Sequence, residues 1–464
     1  MTTPARRLAA WWPEAAVLGF AALLVFGRLH LPLLEPEEGR YAEIPRQMLL
    51  GHHFLTPVYQ SHPYLDKPPL LYWAVMASYA AFGVHDWSAR LVTAAAAWLT
   101  VVVVYAWGRW AAARPAGLAA AAVLTLTGDF VYRGPMLTMN GPLALFVTAA
   151  VAAAHLWGRS GRPRWWVVSA ACCAAGVLTK GPVAAALVLP PLLAMRWTDP
   201  TARRPSVRHW LGYAAVVAAV AGPWFAAETI AEPGFGEYFF YRHHVERYLH
   251  PFDHAKAWWF YLPQFTLAVL PWAALTAPTL VRRPAFNLPP VVRLAGLAAV
   301  WAVVFFSLSG SKRPVYLVPA LPFLAVAAGG LIGRAYTRRT LLAAGVLAAV
   351  VTVGVFAWLP RYSEAFSVAA LVERVREQEP HAPLLCYAHE WDSLGVYAGC
   401  AGDLPTPLAT PAEVIGRLAG GERAVVFVHT AAQREELVRS LPPGWVWRPM
   451  AESRVAFAGV VYRE

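Results

Sequence analysis

The sequence predicts a multi-span α-helical membrane protein that ends in a small α/β domain, and three observations carry this. The 464 residues are 58% hydrophobic and only 14% charged, with a mean hydropathy of +0.44, whereas ordinary soluble chains carry about 25% charged residues. Apolar runs long enough to cross a bilayer, about 20 residues each, recur through residues 1–360. Acids are thin among the Ala, Val, Leu and Trp of those runs, yet 13 of the 27 fall in residues 361–464, which return to soluble-like composition. A single soluble globule, a nucleic-acid-binding module and a secreted disulfide miniprotein are excluded. The net charge of +12 is carried almost wholly by Arg, since only four of the 39 basic residues are Lys. Many of these arginines stand in short loops beside apolar runs, where they set topology.

The runs fall near 12–34, 90–108, 115–133, 141–157, 164–179, 181–196, 209–229, 258–281, 291–309, 314–333 and 340–359, eleven in all. The first, Trp11–Leu34, reads as an anchor span, because it is long and lacks a small-residue cleavage site. A shorter segment, Pro68–Gly83, decides the orientation of everything after it. If it does not cross, the loops with Arg6/Arg7, Arg109/Arg114, Arg159/Arg162/Arg164, Arg196/Arg203/Arg204/Arg208, Arg282/Arg283/Arg293 and Arg334/Arg338/Arg339 share one side, which the positive-inside rule makes cytoplasmic. It is therefore expected to lie at the outer surface or to be re-entrant.

All four lysines, Lys67, Lys180, Lys256 and Lys312, then fall outside with Arg40, Arg133, Arg242, Arg247 and Arg313. A chain that uses Arg as its generic cation keeps its lysines on the face opposite to the positive bias, which invites a functional explanation beside simple snorkelling.

Two outer loops, about 35–90 and 230–258, are the long polar interruptions of a membrane domain spanning residues 1–360. In the first, Glu35, Glu37, Glu38, Arg40, Tyr41, Glu43, Arg46, Asp66 and Lys67 gather beside Ile44, Met48 and Leu49, whose spacing predicts a short helix on the membrane with its acids at the N-terminal end. Residues 361–464 are expected outside as an α/β domain with strands at 383–387, 424–429 and 455–462 and helices at 367–379 and 431–441. Cys386 and Cys400 fall in this domain, in a compartment expected to oxidise them to a disulfide.

At these loops the sequence resembles the GT-C class of lipid-dependent glycosyltransferases, in the branch of aminoarabinose transferase and the protein O-mannosyltransferases. The elements occur in the expected order over residues 10–360: Glu37-Glu38-Gly39-Arg40-Tyr41-Ala42-Glu43-Ile44-Pro45-Arg46, then Lys67–Trp73, Phe82-Gly83 and Arg90, Thr179-Lys180-Gly181, Phe239–Tyr248, and Lys312–Pro319. The resemblance implies a multi-span GT-C fold of about eleven spans plus interfacial helices. It also implies inverting transfer of a sugar from a polyprenyl-phosphate donor to an acceptor at the outer face of the inner membrane. Aminoarabinose and lipid A phosphate are the leading pair, and a hexose placed on protein Ser/Thr or on another glycan is the alternative.

Such a donor leaves as a lipid phosphate, whose developing charge needs fixed cations. Arg40, Lys67 and Arg247 are the candidates, an Arg fork holding phosphate in two hydrogen bonds and Lys acting as a point charge. Tyr41, Tyr316, Asn140 and Lys180 join them as donor-binding candidates. Glu37 stands where the family carries its catalytic carboxylate, commonly Asp. It serves as the base for an acceptor hydroxyl, or positions substrate if the acceptor is an ionised phosphate. Asn140 replaces an expected Asp; an amide binds a sugar hydroxyl but is no base.

Asp66, His243, His244 and His254 carry donor types suited to a divalent metal, without a spacing that specifies one; the transfer itself requires none. A lipid or solute transporter is the reading from another class. It predicts internal repeats and mid-membrane ionisable groups, whereas the charges here gather in outer loops.

Overall fold

The computed structural model describes residues 11–60, 62–250, 253–282, 288–333, 337–399, 407–418 and 423–464. Arg6, Arg7, Arg283, Arg334 and Cys400, named above, lie outside them, and the expected Cys386–Cys400 bridge with them.

The chain runs through α1 (Trp12–Phe26), α2 (Glu37–Leu50), the paired β1 (Val58–Tyr59) and β2 (His62–Pro63), α3 (Leu70–Phe82), α4 (Asp86–Ala111) and α5 (Arg114–Leu126). Next come α6 (Asn140–Ser160), α7 (Pro163–Lys180), α8 (Val183–Thr198), α9 (Val207–Ala231), α10 (Tyr261–Arg282), α11 (Pro290–Leu308), α12 (Leu321–Ile332) and α13 (Arg338–Val353). The C-terminal part carries α14 (Ala369–Gln378), β3 (Leu384–Tyr387), α15 (Leu394–Ala398), α16 (Pro411–Leu418), β4 (Arg423–Val428), α17 (Ala431–Ser440), β5 (Trp445–Glu452) and β6 (Phe457–Arg463).

Each of the eleven apolar runs holds a helix, and among the described residues seven helical segments are long and apolar enough to cross by themselves: 86–111, 140–160, 207–231, 258–277, 290–308, 314–332 and 338–365. The helices of the remaining runs are shorter or less apolar. α1 stops at Gly27, and the run near 115–133 breaks at Thr127 into α5 and a short turn at Gly128–Arg133. Proline opens α5, α7 and α11 within the first turn, where its missing N–H costs nothing.

Contacts divide the molecule into two units. The first, the membrane unit, holds residues 11–28, 65–71 and 91–355; the second holds 29–64, 72–90 and 356–464. In the first unit α6 packs on α7, α7 on α9, α5 on α12, and α11 on α8 and α12. Small residues allow this closeness: a Cβ on Gly329 of α12 would lie 2.4 Å from the Ala120 nitrogen of α5. The buried acid of α1, Glu14, is matched by both nitrogens of an Arg114 fork at 2.6 Å and by the Tyr105 hydroxyl at 2.8 Å, as a buried charge requires.

In the second unit a four-stranded sheet of order β3-β4-β6-β5 has β3 and β4 parallel and the rest antiparallel. Val372 and Val375 of α14 pack with Trp391, Phe427 and Val460 into its core. The expected strands match β3, β4 and β6. β5 was not expected, because Pro449 and a bulge between Pro449 and Ala451 interrupt its alternation.

Helix α2 forms where the outer-loop spacing predicts it, with Glu37 and Glu38 in its first turn. Its apolar face is turned into protein and not onto a membrane surface: Ile44 and Met48 are fully buried. Glu38 receives two Arg90 nitrogens at 2.9 and 2.6 Å, and Glu43 receives the Arg46 fork and the Gln47 amide.

Candidate functional site

In the membrane unit a cavity of about 90 Å3 is lined by Lys67, Lys180, Arg247, His243, His244, Tyr248, Phe305, Phe306, Ser309, Ser311 and Tyr316. Four stretches of chain that are far apart in sequence supply it. Lys67 comes from the segment before α3, Lys180 is the last residue of α7, and Phe305 and Phe306 belong to α11. Tyr316 stands in the 3-10 turn Pro314–Ala320.

His243 and Arg247 come from the run Glu237–Glu246 and the residue that follows it. That run is a π-helix, a widened turn that is uncommon outside functional sites. Gly181 makes room for it. With φ at +75° and a Cβ position 2.8 Å from both the His244 ring and the Phe239 ring, no larger residue fits there.

His243 organises two of the cations. Its Nε2 receives Lys67 Nζ at 2.8 Å and Arg247 at 3.2 Å. Both neighbours can only donate, so Nε2 accepts and the ring carries its proton on Nδ1, 3.9 Å from an Asp66 oxygen. Burial and the adjacent lysine keep this imidazole neutral, so it joins two cations without adding a third charge.

Arg247 is further fixed by two hydrogen bonds to Asp253, at 2.9 and 2.7 Å. Asp66 accepts the Tyr238 hydroxyl at 2.6 Å. Burial works against its charge, yet Lys67, His243 and that hydroxyl together hold its carboxyl below the usual range. Burial draws Lys67 down to about 8, against the pull of Asp66.

Lys180 differs from the other two. Its Nζ donates to Asn140 Oδ1 at 2.6 Å and sits over the Tyr316 ring at 4.1 Å and the Phe306 ring at 5.9 Å. These partners are neutral, and burial beside Lys67, Arg313 and Arg247 pushes the Lys180 amine well below the usual lysine range, so the aromatic faces and one amide are all that support its charge. Three cations thus face one cavity while two carboxylates, Asp66 and Asp253, stand beside it, an arrangement complementary to an anion with more than one charge.

Of the residues named from sequence, Lys67, Arg247, Lys180, Tyr316 and, through Lys180, Asn140 come together here. Glu37, Arg40 and Tyr41 belong to the second unit: Glu37 opens α2 half-buried, Arg40 pairs with Asp392 at 3.2 Å, and Tyr41 stacks near Tyr72.

The metal candidates do not converge. Asp66 and His243 are engaged as described, His244 Nδ1 is 2.6 Å from the Phe239 carbonyl, and His254 is exposed. Among the described residues no three His, Cys, Asp or Glu side chains are grouped to hold an ion.

Sequence reasoning missed the neutral bridge of His243, the aromatic wall of Phe305 and Phe306, and the serines Ser309 and Ser311. Phe305 and Phe306 read only as part of a span. The Ser-Leu-Ser-Gly-Ser stretch 307–311, polar at a span end, was the available signal for the serines.

A helical membrane body with long outer loops and a small α/β domain is the architecture of the GT-C membrane glycosyltransferases. The crystal structure of ArnT from Cupriavidus metallidurans bound to undecaprenyl phosphate superposes with a TM-score of 0.81 over 97% of this chain and 98% of that one, at 21% identity. Residues 66–225 match the family described as dolichyl-phosphate-mannose-protein mannosyltransferase. Similar sequences include undecaprenyl phosphate-alpha-4-amino-4-deoxy-L-arabinose arabinosyl transferase 1 of Pseudomonas fluorescens, 29% identical over 340 residues, 71% of this chain and 59% of the relative. The corresponding transferase of Pseudomonas paraeruginosa is 32% identical over 346 residues, 68% of this chain and 59% of the relative. The chain belongs to the GT-C lipid-dependent glycosyltransferases, in the aminoarabinose transferase and protein O-mannosyltransferase family. It spans 59% of the length of these curated relatives.

Proposed function

We propose that the chain transfers 4-amino-4-deoxy-arabinose from a polyprenyl-phosphate donor to a lipid A phosphate at the outer face of the inner membrane, with its C-terminal domain in the periplasm. The observation that carries this is the cavity: Lys67, Lys180 and Arg247 converge on a space walled by Tyr316 and Phe306. In the reaction an acceptor oxygen attacks C1 of the sugar and the bond from C1 to the donor phosphate oxygen breaks, so the phosphate leaves with an added negative charge.

Fixed cations stabilise that charge as it develops, and do so most strongly where water is excluded. Asp253 and His243 hold Arg247 before substrate arrives, which avoids reorganisation at the moment of transfer. Lys180, held by neutral partners, gains a carboxylate-like counterion only when the phosphate is bound. Tyr316 covers Lys180 and offers a face to the sugar. Arg40 and Tyr41 contribute to the donor, and Glu37 either takes the acceptor proton or positions an acceptor that is already ionised. Asn140, unable to act as a base, leaves Glu37 as the acid residue of the reaction. No residue is assigned to a metal.

Lipid A and outer-face proteins from cells with and without the gene, complemented by wild type or Glu37→Ala, test the reading by mass spectrometry. A pentosamine-sized increment on lipid A that disappears in the variant is expected. A hexose on proteins or on another glycan would move the acceptor, and no change anywhere would favour a transporter.

A further inference from the structure

The second unit holds a contact that the reaction so far leaves unused. β3 and β4 are parallel neighbours, and loops leaving the carboxyl ends of such strands gather at one edge of the sheet, where α/β folds place working groups. After β3 the backbone turns through Ala388, whose φ is +55°. The turn is anchored by Trp391, buried against Phe427, with its indole N–H donating to the Val455 carbonyl at 2.9 Å. Asp392 follows on this rigid support and is only 2% exposed.

Asp392 accepts from the Tyr59 hydroxyl and is paired with Arg40 at 3.2 Å. The Arg40 guanidinium also lies over the Tyr59 ring, 5.4 Å from its centroid. Arg40 also hydrogen-bonds Tyr64, while its side chain stays 42% exposed. Next to it, the Glu35 carboxylate accepts the Asp392 N–H at 3.1 Å, the Ser393 N–H at 2.8 Å and the Ser393 hydroxyl. Glycine permits this contact, since a Cβ on Gly39 would lie 2.7 Å from the Ser393 nitrogen.

We propose that Asp392, carried by the C-terminal domain, is a positioning residue of the transfer, acting through Arg40 to set the guanidinium that serves the donor. This rests on the reading of Arg40 as part of the donor site. A purely structural contact is poorly served by what surrounds it. Burial and the Asp392 charge push Glu35 and Glu390 up to about 7, and burial raises Asp392 itself to about 6 despite Arg40. Three acids crowded at one turn, with Arg40 paired to Asp392, cost stability that an apolar contact would not, and groups perturbed in this way cluster at functional sites.

The test is a double-mutant cycle on the purified full-length chain, with Arg40→Gln, Asp392→Asn and the pair, reading kcat and donor KM separately and the melting temperature of each. Expected are a loss of about tenfold or more in kcat/KM for Asp392→Asn, as for residues that orient a working group, and no further loss when it is added to Arg40→Gln. Asp392→Glu recovers part of the loss. Should Asp392→Asn not fold, Tyr59→Phe, which removes one donor to Asp392 and keeps the ring, replaces it in the cycle, with a smaller loss that also vanishes beside Arg40→Gln. If Arg40→Gln is inactive while Asp392→Asn is fully active, or if their losses multiply, the positioning role is overturned and the Arg40 reading stands. A fully active Arg40→Gln removes that reading, and the role of Asp392 with it.

Discussion

At the scale of single residues the cavity works by assigning different duties to its three cations. Arg247 is held by Asp253 and His243, Lys67 by His243 and Asp66, and Lys180 by neutral groups. A charge-assisted contact to phosphate contributes about 1.5–3 kcal/mol, so Arg247→Gln is expected to weaken donor binding by about tenfold to a hundredfold, measured as donor KM and as lipid-phosphate affinity. Lys67 gives the reaction a basic limb. Its ammonium, drawn down to about 8, is charged below that pH and loses its proton as pH rises through it. Donor kcat/KM, which reports the free enzyme, should therefore fall above about pH 8, and Lys67→Arg should move that fall to higher pH. Because the histidines and acids near the cavity are engaged with protein partners, treatment with a chelator should leave transfer unchanged, measured before and after adding back divalent ions.

These residue-scale roles were only partly legible in the sequence. Lys67, Lys180 and Arg247 could be singled out because the chain spends few lysines and keeps them outside. The neutral role of His243 could not, because it depends on two donors reaching one ring nitrogen across 176 residues in one case and four in the other. Nothing local marks Asp392, whose partners Arg40 and Tyr59 lie more than 300 residues earlier.

Among the elements, the widened turn Glu237–Glu246 and the glycine that follows α7 form one device. Gly181 has a left-handed φ of +75° and no room for a Cβ beside His244 and Phe239. Gly181→Ala should displace the turn and lower kcat/KM by about tenfold or more through Lys180, His243 and Arg247 together, with the membrane helices still folded by circular dichroism. The sequence predicted helices well where apolar runs were long. Where an apolar run ends its helix early, as at Gly27 and Thr127, the run is longer than the helix it holds. The sequence placed α2 correctly along the chain but not its surroundings, since the helical spacing of Ile44 and Met48 says that a face is buried and not what covers it. β5 escaped notice because Pro449 breaks the period on which strand reading depends.

For the molecule as a whole, the proposed orientation rests on charge placement. The arginine-rich loops share one side only if Pro68–Gly83 does not cross, and that side is then cytoplasmic by the positive-inside rule. A single cysteine placed at the exposed Glu435 of α17, in a background without the native cysteines, should react with a membrane-impermeant maleimide in intact spheroplasts. A cysteine in place of Arg204 should react only after permeabilisation. Fold class was legible from composition and hydropathy alone, because they report on the solvent around the chain. The division into two units was not, because it depends on the first outer loop grouping with residues 356–464, and no local pattern records that.

The most direct measurement is the affinity of the purified full-length chain for undecaprenyl phosphate, compared between wild type, Lys67→Gln, Arg247→Gln and an Arg208→Gln control at the start of α9, outside the cavity. A cavity that receives the donor phosphate requires saturable binding by wild type, a loss of about tenfold or more in each cavity variant, and no change in the control. Equal binding by all four proteins would contradict a donor site built on these cations.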